Sequence, residues 1–351
     1  MILLFRPERP ADTLTDMKNR FILPIFALVI QLAPTQALWA ADNPFVGYWN
    51  VSLPGSVPGW LGVEERGGAL KASMLWGWGS VTPLDSARVE DGKLIMTRQH
   101  EVNVPDVDGK QKKTKFTETI TVNSTSSDKL AFVSVKPRPA GGEERAEFTA
   151  QRMPPMPAKP DLTKVKFGRA IRLFNGKNLN GWRLTDPKAV NGWSARNGIL
   201  VNDATQEKGK PHKNYGNLRT EREFEDFNLQ LEARVAKNGN SGIYLRGIYE
   251  VQVEDSFGKS LDPHNMGGIY SRITPSVSAE KPAGEWQAFD ITLVNRHVTV
   301  VLNGKKIIDN QPLLGCTGGA LWTDVTRPGP IYLQGDHTGV EYRNFRLRPV
   351  K

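Results

Sequence analysis

Alternation of apolar and polar residues at every second position most constrains how this chain folds. From Phe227 to Val235, five apolar residues alternate with four polar ones, a pattern that predicts a β-strand with one buried face. Shorter runs of the same kind occupy residues 94–96, 117–122, 130–135, 289–294, 297–302 and 340–347. We find no segment of ten residues with a helical period after the N-terminal region. The sequence therefore predicts an all-β protein.

Turn signals between these runs support antiparallel pairing. Asn303-Gly304 separates two of the runs, and Asp91-Gly92 and Asp108-Gly109 supply two more tight turns. Such dipeptides favour hairpins because both central residues of the turn adopt positive φ angles. The 33 glycines and 24 prolines of the 351 residues fit many short strands joined by turns.

A proline-rich joint divides the chain. Residues 153–166 contain four prolines within 154–160 and predict an extended linker. The preceding part, 42–152, predicts a small antiparallel β-barrel or sandwich, and its Gly47-Tyr48-Trp49 resembles the entry motif of lipocalin-like barrels. The following part, 167–351, predicts two packed antiparallel sheets in a jelly roll.

The Trp76 to Gly79 run, WGWG, either lines a ligand cavity or packs around a bulge.

The N-terminal 41 residues resemble an export signal. A basic segment, 17–20, precedes ten mainly apolar residues and then small residues up to Ala41, which is typical of a cleavable signal peptide. Residues 1–16 precede a better start at Met17. We expect a periplasmic or extracellular protein without stable membrane insertion; a short membrane anchor is the alternative.

Composition and charge exclude several classes of protein. Cys316 is the only cysteine, which excludes an intrachain disulfide framework and a cysteine-rich metal site. The net charge of +9 is spread along the chain without the basic stripe that nucleic-acid binding requires. No nucleic-acid partner is expected.

One segment carries the candidate chemistry. Residues 244–253 predict a single long strand within the segment 241–255. In a strand conformation Arg246, Glu250, Gln252 and Glu254 of this segment share one face. Such a face suits a wet sugar-binding surface. An ordinary exposed face with an Arg246–Glu250 salt bridge is the alternative.

Several motifs, taken in order, resemble a known family. They are LFNGKNLNGW at 173–182, NSGI at 240–243, YEVQ at 249–252, KPAGEW at 281–286, LNG at 302–304, GPIYLQ at 329–334 with Asp336-His337, and EYRN at 341–344. Together they resemble the 3-keto-disaccharide hydrolase domain, which has a concanavalin A-like β-sandwich. The resemblance covers residues 167–351 and leaves the first half aside.

The resemblance implies chemistry on glycosides oxidised at sugar carbon 3. The ketone acidifies the C2 hydrogen, so a general base removes it, the aglycone leaves from C1 by β-elimination, and water then adds. Such a site needs a base, a group for the enolate oxygen and an acid for the leaving group. Because the substrate has to be oxidised first, an NAD-dependent sugar dehydrogenase is an expected functional partner.

The resemblance also suggests roles for individual residues. His337 is the candidate base or acid, Glu250 the candidate carboxylate, and Arg246 the candidate partner of the enolate oxygen. Gln252 and Tyr244 are candidates for binding the oligosaccharide or glycoside substrate. Lys281 is another, although a solvated loop lysine is the alternative.

A divalent cation such as Ca²⁺, Mg²⁺ or Mn²⁺ is a further expectation, because oxygen-rich ligation would polarise the ketone. Its candidate ligands are Glu250, Asp255 and Asp336.

Two other functions stay open at this point. Glu250 to Glu254 resembles the catalytic strand of family 16 glycoside hydrolases, although Gln252 stands where that pattern has an aspartate. A non-catalytic carbohydrate-binding module is the other alternative, because the fold alone does not decide between binding and catalysis.

Overall fold

A computed structural model describes residues 43–105, 110–139 and 141–351. Its described residues form strands, turns and loops, with one 3₁₀ turn at Pro54–Ser56 as their only helical segment, so the predicted all-β fold is confirmed. Within these ranges, no helix has the length and apolar character needed to cross a membrane. The predicted signal segment and the Asp108-Gly109 turn lie outside the described residues.

The first half forms one nine-stranded antiparallel sheet in the order β4-β3-β2-β1-β9-β8-β7-β6-β5. Its strands are β1 (Gly47–Leu53), β2 (Val57–Arg66), β3 (Ala69–Leu75), β4 (Thr82–Pro83), β5 (Ser86–Glu90), β6 (Lys93–Pro105), β7 (Gln111–Ser126), β8 (Lys129–Pro137) and β9 (Glu143–Arg152).

This sheet curls back on itself. The backbone N–H of Leu84 donates to Ala72 O at 2.9 Å, and that of Asp85 donates to Thr97 O at 2.9 Å, which ties β3 to β6. Alternate residues of the strands point inward and build a core of their own around Trp49 and Phe132. The predicted small barrel-like arrangement is therefore present between residues 47 and 152.

The second half contains two further antiparallel sheets. The larger has eight strands, β10 (Ile171–Arg172), β12 (Trp193–Arg196), β13 (Ile199–Asn202), β15 (Phe227–Val235), β18 (Gln287–Val294), β19 (His297–Leu302), β20 (Lys305–Pro312) and β22 (Val340–Pro349). The smaller has five strands, β11 (Trp182–Leu184), β14 (Leu218–Thr220), β16 (Asn240–Leu245), β17 (Tyr249–Glu254) and β21 (Tyr332–Leu333).

Apolar residues from both sheets pack into one core and produce the sandwich. The alternating residues of β15 are buried, as the sequence predicts, and they join Ile243 and Val251 of the smaller sheet in this core. The hairpin predicted at Asn303-Gly304 is confirmed: both residues have positive φ, and β19 pairs with β20 across them.

Contacts between the halves are direct. Trp60 of β2 is 6% exposed and belongs to the core of the sandwich, and the Arg272 guanidinium lies 4.4 Å from its ring centroid. Residues 153–166 form no regular element, and Asn310 Nδ2 donates to Pro160 O at 2.8 Å. Residues 43–351 form one compact unit, so the domain boundary at this joint stays a prediction.

The single long strand predicted over residues 244–253 is wrong. The chain forms a hairpin there, with β16 ending at Leu245 and β17 beginning at Tyr249. Arg246 and Gly247 both have positive φ, 55° and 69°, which reverses the chain. Gly247 was the sequence feature that could have predicted this turn, since an isolated glycine within a strand pattern often marks an irregularity such as a bulge.

Candidate active site

The β16–β17 hairpin forms the floor of a cavity on the smaller sheet. Glu250 lies directly opposite Tyr244 in the ladder, and its side chain lies flat over Gly242. A Cβ atom at Gly242 would lie 2.2 Å from Glu250 Oε1, so only glycine leaves room for this carboxyl group. The backbone N–H of Glu250 donates to Thr317 Oγ1 at 2.9 Å, which fixes the strand below the cavity.

Burial favours the neutral form of Glu250. The side chain is almost completely buried, and this desolvation raises its pKa from 4.5 to about 8, with a smaller contribution from the negative charge of Asp336. A hydrogen bond donated by Tyr244 favours the ionised carboxylate and acts in the opposite direction on this pKa. At pH 7 the carboxyl group is mainly protonated.

A proton count supports this protonation state. Tyr244 Oη lies 2.9 Å from Glu250 Oε2 and 2.7 Å from Gly318 O. The phenol has a single proton, whereas a backbone carbonyl only accepts. When Tyr244 donates to Gly318 O, a protonated Glu250 donates to Tyr244 Oη, and both bonds are satisfied. Stacking of Tyr244 on Tyr332, with centroids 4.1 Å apart, holds the phenol in place.

The loop between β21 and β22 is held by two hydrogen bonds and brings the imidazole of His337 to the same cavity. Gly335 N–H donates to Asn217 Oδ1 at 2.7 Å, and Gly335 O accepts from Asn202 Nδ2 at 2.9 Å. His337 Nδ1 lies 2.9 Å from Asp336 Oδ1. This hydrogen bond is the main cause of the raised pKa of His337. With Nδ1–H donating to Asp336, Nε2 is the nitrogen left to exchange a proton with a ligand.

The first half supplies one wall of the cavity. The loop after β3 reaches across, and Gly319 N–H donates to Gly77 O at 2.9 Å. Ser80 Oγ lies 2.8 Å from His264 Nε2, which anchors the end of this loop. A Cβ atom at Gly318 would lie 2.2 Å from Gly79 O, so the close approach requires glycine. Trp78 is 68% exposed at the rim.

The cavity has a volume of about 220 Å³. Its lining combines carboxyl groups, an imidazole, amides and aromatic rings: Trp78, Gly79, Asn240, Tyr244, Glu250, Tyr270, Gly318, Gly319, Tyr332, Gln334, Asp336 and His337. Such a small polar space with perturbed pKa values has the character of a catalytic or sugar-binding site.

The structure brings some of the predicted site residues together and separates others. Glu250, His337, Tyr244 and Asp336 line the cavity. Arg246, predicted to face it, lies in the hairpin turn instead, where its Nη2 donates to Val325 O at 2.9 Å. The positive φ at the turn removes Arg246 from the face that the single-strand prediction assumed.

The other predicted residues also lie outside the lining. Lys281 Nζ donates to Trp286 O at 3.3 Å on an exposed loop. Gln252 is buried, and its Nε2 donates to Glu254 Oε2 at 3.2 Å. Asp255 Oδ2 accepts the backbone N–H of Asn238 at 2.9 Å. Of the three candidate cation ligands, the cavity therefore contains two.

No group of three or more His, Cys, Asp or Glu residues is arranged to hold a metal ion anywhere in the described ranges. The residues present do not provide a complete ligand set, and the cation stays a prediction.

Sequence reasoning missed the contribution of distant segments. Asn240, Tyr270, Tyr332 and Gln334 line the cavity although they come from separate strands and loops. The WGWG run at 76–79 was the sequence feature that could have predicted Trp78. Of the two interpretations of this run, lining a cavity or packing around a bulge, Trp78 fits the first.

The fold and the site together define a β-sandwich protein with a small polar cavity that contains a neutral carboxyl group and an oriented imidazole. Comparison with known families places the chain more narrowly. A model of the 3-keto-alpha-glucoside-1,2-lyase-like domain matches residues 169–348, and the chain belongs to this family.

The similarity to an individual relative covers part of each chain. The 3-keto-disaccharide hydrolase of Bacteroides thetaiotaomicron is 25% identical over 167 residues, which cover 40% of this chain and 57% of that protein. The chain thus spans just over half the length of this curated relative.

Similar solved structures include a proposed glycosyl hydrolase of Parabacteroides distasonis, with 28% identity, 55% of this chain and 92% of that chain covered, and a TM-score of 0.42. Another is the family 16 endo-β-1,3(4)-glucanase SCLam, with 11% identity, 57% of this chain and 95% of that chain covered, and a TM-score of 0.34.

Proposed function

We propose that this protein cleaves 3-keto-glycosides or 3-keto-disaccharides by removing the C2 proton, eliminating the aglycone and rehydrating the product. The observation that carries the proposal is that Glu250 and the Asp336–His337 pair, all of them residues of the family domain, line one cavity. One group accepts a proton and the other donates one, which is what elimination requires.

His337 serves as the base in this proposal. Nε2 takes the proton from C2, the C2–H electron pair forms the enolate, and Asp336 stabilises the resulting imidazolium through the bond to Nδ1. The base must be neutral to act, so the rate rises with pH through the pKa of His337, which lies above its ordinary value of 6.5.

Glu250 serves as the acid. Its protonated carboxyl group gives its proton to the glycosidic oxygen while the C1–O bond breaks, and the aglycone leaves as an alcohol. Because the pKa of Glu250 is about 8, the rate falls above that pH. The proposal therefore gives a bell-shaped pH profile whose upper limb lies near pH 8.

Neutral donors complete the site. Asn240, Gln334 and Tyr270, whose side chains end in amide and hydroxyl groups, also line the cavity. We assign the ketone oxygen and the sugar hydroxyls to these groups, in place of Arg246. Water then adds across the C1–C2 double bond of the product: its hydroxyl group bonds to C1, its proton goes to the Glu250 carboxylate, and the His337 imidazolium returns its proton to C2. Both groups are restored, and the net reaction is hydrolysis.

Purified protein incubated with a 3-keto-glucoside and with its unoxidised parent tests the proposal. Aglycone release from the ketone alone is the expected result, because without the ketone the C2 hydrogen is far too weakly acidic for an imidazole. Release from the parent would favour an ordinary glycosidase of the family 16 kind. Binding without release would favour the carbohydrate-binding module, for which the exposed Trp78 ring is the supporting observation.

The substrate of this reaction has to be made by oxidation of a C3 hydroxyl. The NAD-dependent sugar dehydrogenase expected from the sequence stays part of the proposal, as does export to the periplasm or beyond.

A further inference from the structure

A second cavity lies in the first half, outside the family domain. It has a volume of about 330 Å³ and lies at one end of the curled nine-stranded sheet. Trp78 lines both this cavity and the candidate active site. The two spaces therefore share one exposed tryptophan in their linings.

The inner face of the sheet changes character at this cavity. Inward-facing residues of β6 to β9 are apolar and buried toward one end, as at Met96 and Ile120. Toward the other end, the same faces carry polar residues that line the cavity: Arg98, His100, Glu118, Ser134, Lys136 and Glu144. Ligand sites commonly occupy the mouths of β-barrels.

A buried polar network lies at the base of this space. Glu118 is 5% exposed; His100 Nε2 lies 2.7 Å from its Oε2, and Ser134 Oγ donates to its Oε1. Placing a carboxyl group inside a barrel costs stability unless its oxygens are bonded. His100 and Ser134 supply these bonds, and the network therefore forms a stable polar floor that suits a polar ligand.

An unmatched donor supports the same conclusion. Trp76 lines the cavity, and its buried Nε1 has no hydrogen-bond partner among the residues that the structure describes. Buried N–H groups are rarely left unpaired, and an oxygen of a bound ligand would pair with this one. The Arg98 guanidinium lies 4.9 Å from the Trp76 ring centroid, which holds the indole in position.

The volumes of the two cavities also favour one ligand that occupies both. Small-molecule sites usually have volumes of about 300–1,000 Å³. The candidate active site alone, at about 220 Å³, is below that range, whereas the adjoining cavity, at about 330 Å³, is within it. A ligand of two rings would occupy both.

We propose that the second cavity is the aglycone subsite and takes a second sugar ring, with Trp78 between the two rings. The inference rests on the proposed function, and it explains what the first half contributes. The lining combines hydrogen-bonding side chains with the rings of Trp76, Trp78 and Phe148. This combination suits a sugar ring, which has hydroxyl groups at its edge and C–H groups on its faces.

Filling the cavity tests the proposal. Ala146 lines it from β9, and Glu147, the next residue, is exposed on the opposite face. We compare Ala146→Phe with the control Glu147→Phe on 3-keto-maltose, oxidised on its non-reducing ring, and on methyl 3-keto-α-glucoside. Glu144→Trp, at an exposed position of the same lining, is the second filling variant if Ala146→Phe fails to fold.

The filled variants should lose the preference for the disaccharide over the methyl glycoside. The ratio of kcat/KM for the disaccharide to that for the methyl glycoside should fall about tenfold or more in the filled variants, because misfit of even a small group in a subsite costs at least that much. The control should keep the wild-type ratio. A ratio unchanged in the filled variants would overturn the subsite while the proposed function stands.

A binding measurement keeps the two proposals separate. If wild-type protein cleaves neither ketone, the proposed function fails, and titration of tryptophan fluorescence with maltose decides the subsite alone. Binding lost in Ala146→Phe and kept in Glu147→Phe would support a sugar subsite. Equal binding by both variants would overturn it.

Discussion

Replacing Glu250 by glutamine should abolish most of the activity and leave the protein at least as stable. The amide has nearly the same shape, stays neutral at all pH values and can donate to Tyr244 Oη as the protonated acid does. It has no proton of suitable acidity for the leaving group. Loss of a positioned general acid typically costs about 10²–10⁴-fold in rate, and we expect kcat on a 3-keto-glucoside to fall by that factor.

The stability effect follows from the pKa of Glu250. In the folded protein this pKa is raised to about 8, so between pH 5 and pH 8 the unfolded chain loses the proton while the folded chain keeps it. Since the folded state binds more protons, the free energy of unfolding falls as pH rises. The slope reaches at most about 1.4 kcal/mol per pH unit from this one group. Glu250→Gln removes that contribution, and its advantage over wild type should grow toward pH 8.

The assay pairs single-turnover kinetics with urea unfolding at pH 5, 6, 7 and 8. Glu254→Gln is the matched control, because Glu254 lies on the same strand, is bonded to Lys259 at 2.7 Å and does not line the cavity; its rate should stay within about twofold. Activity of Glu250→Gln within a few-fold of wild type would refute the acid role. Equal pH dependence of stability in wild type and Glu250→Gln would refute the neutral, buried carboxyl group.

Five further outcomes are expected. His337→Ala should lose about 10²–10⁴-fold in kcat, and Asp336→Asn should shift the lower limb of the pH–rate profile to lower pH, because Asp336 is what raises the pKa of His337; an unshifted limb would contradict the pairing. Trp60→Ala should cost about 3–5 kcal/mol of unfolding free energy, measured in urea, since Trp60 is buried in the sandwich core; a cost below about 1 kcal/mol would show that the halves do not depend on this contact. If a divalent cation polarises the ketone, EDTA should remove the activity and Ca²⁺, Mg²⁺ or Mn²⁺ should restore it, whereas a rate that EDTA leaves unchanged would contradict the cation. N-terminal sequencing of protein from its native host should begin between Leu38 and Asn43 if the segment before it is a signal peptide, and an intact Met1 or Met17 would contradict export.

Local patterns in the sequence determined much of the fold. The alternation from Phe227 to Val235 became a strand with one buried face, and Asn303-Gly304 became the turn of a hairpin. These features depend on residues within one strand or one turn, because the period of two and the positive φ of Asn and Gly are properties of the local chain. The polar strand pattern suggested Glu250 as a site residue, whereas His337 was a candidate through the resemblance of the ordered motifs to a family.

Tertiary structure decided which of those residues meet. A turn at Arg246 and Gly247 moved the arginine away from the cavity, and a loop from the other half of the chain brought Trp78 to its rim. The protonation state of Glu250 also required the fold, since desolvation by neighbours distant in sequence raises its pKa. Spacing along a strand places side chains on a face, but burial and contacts between distant segments determine what that face can do.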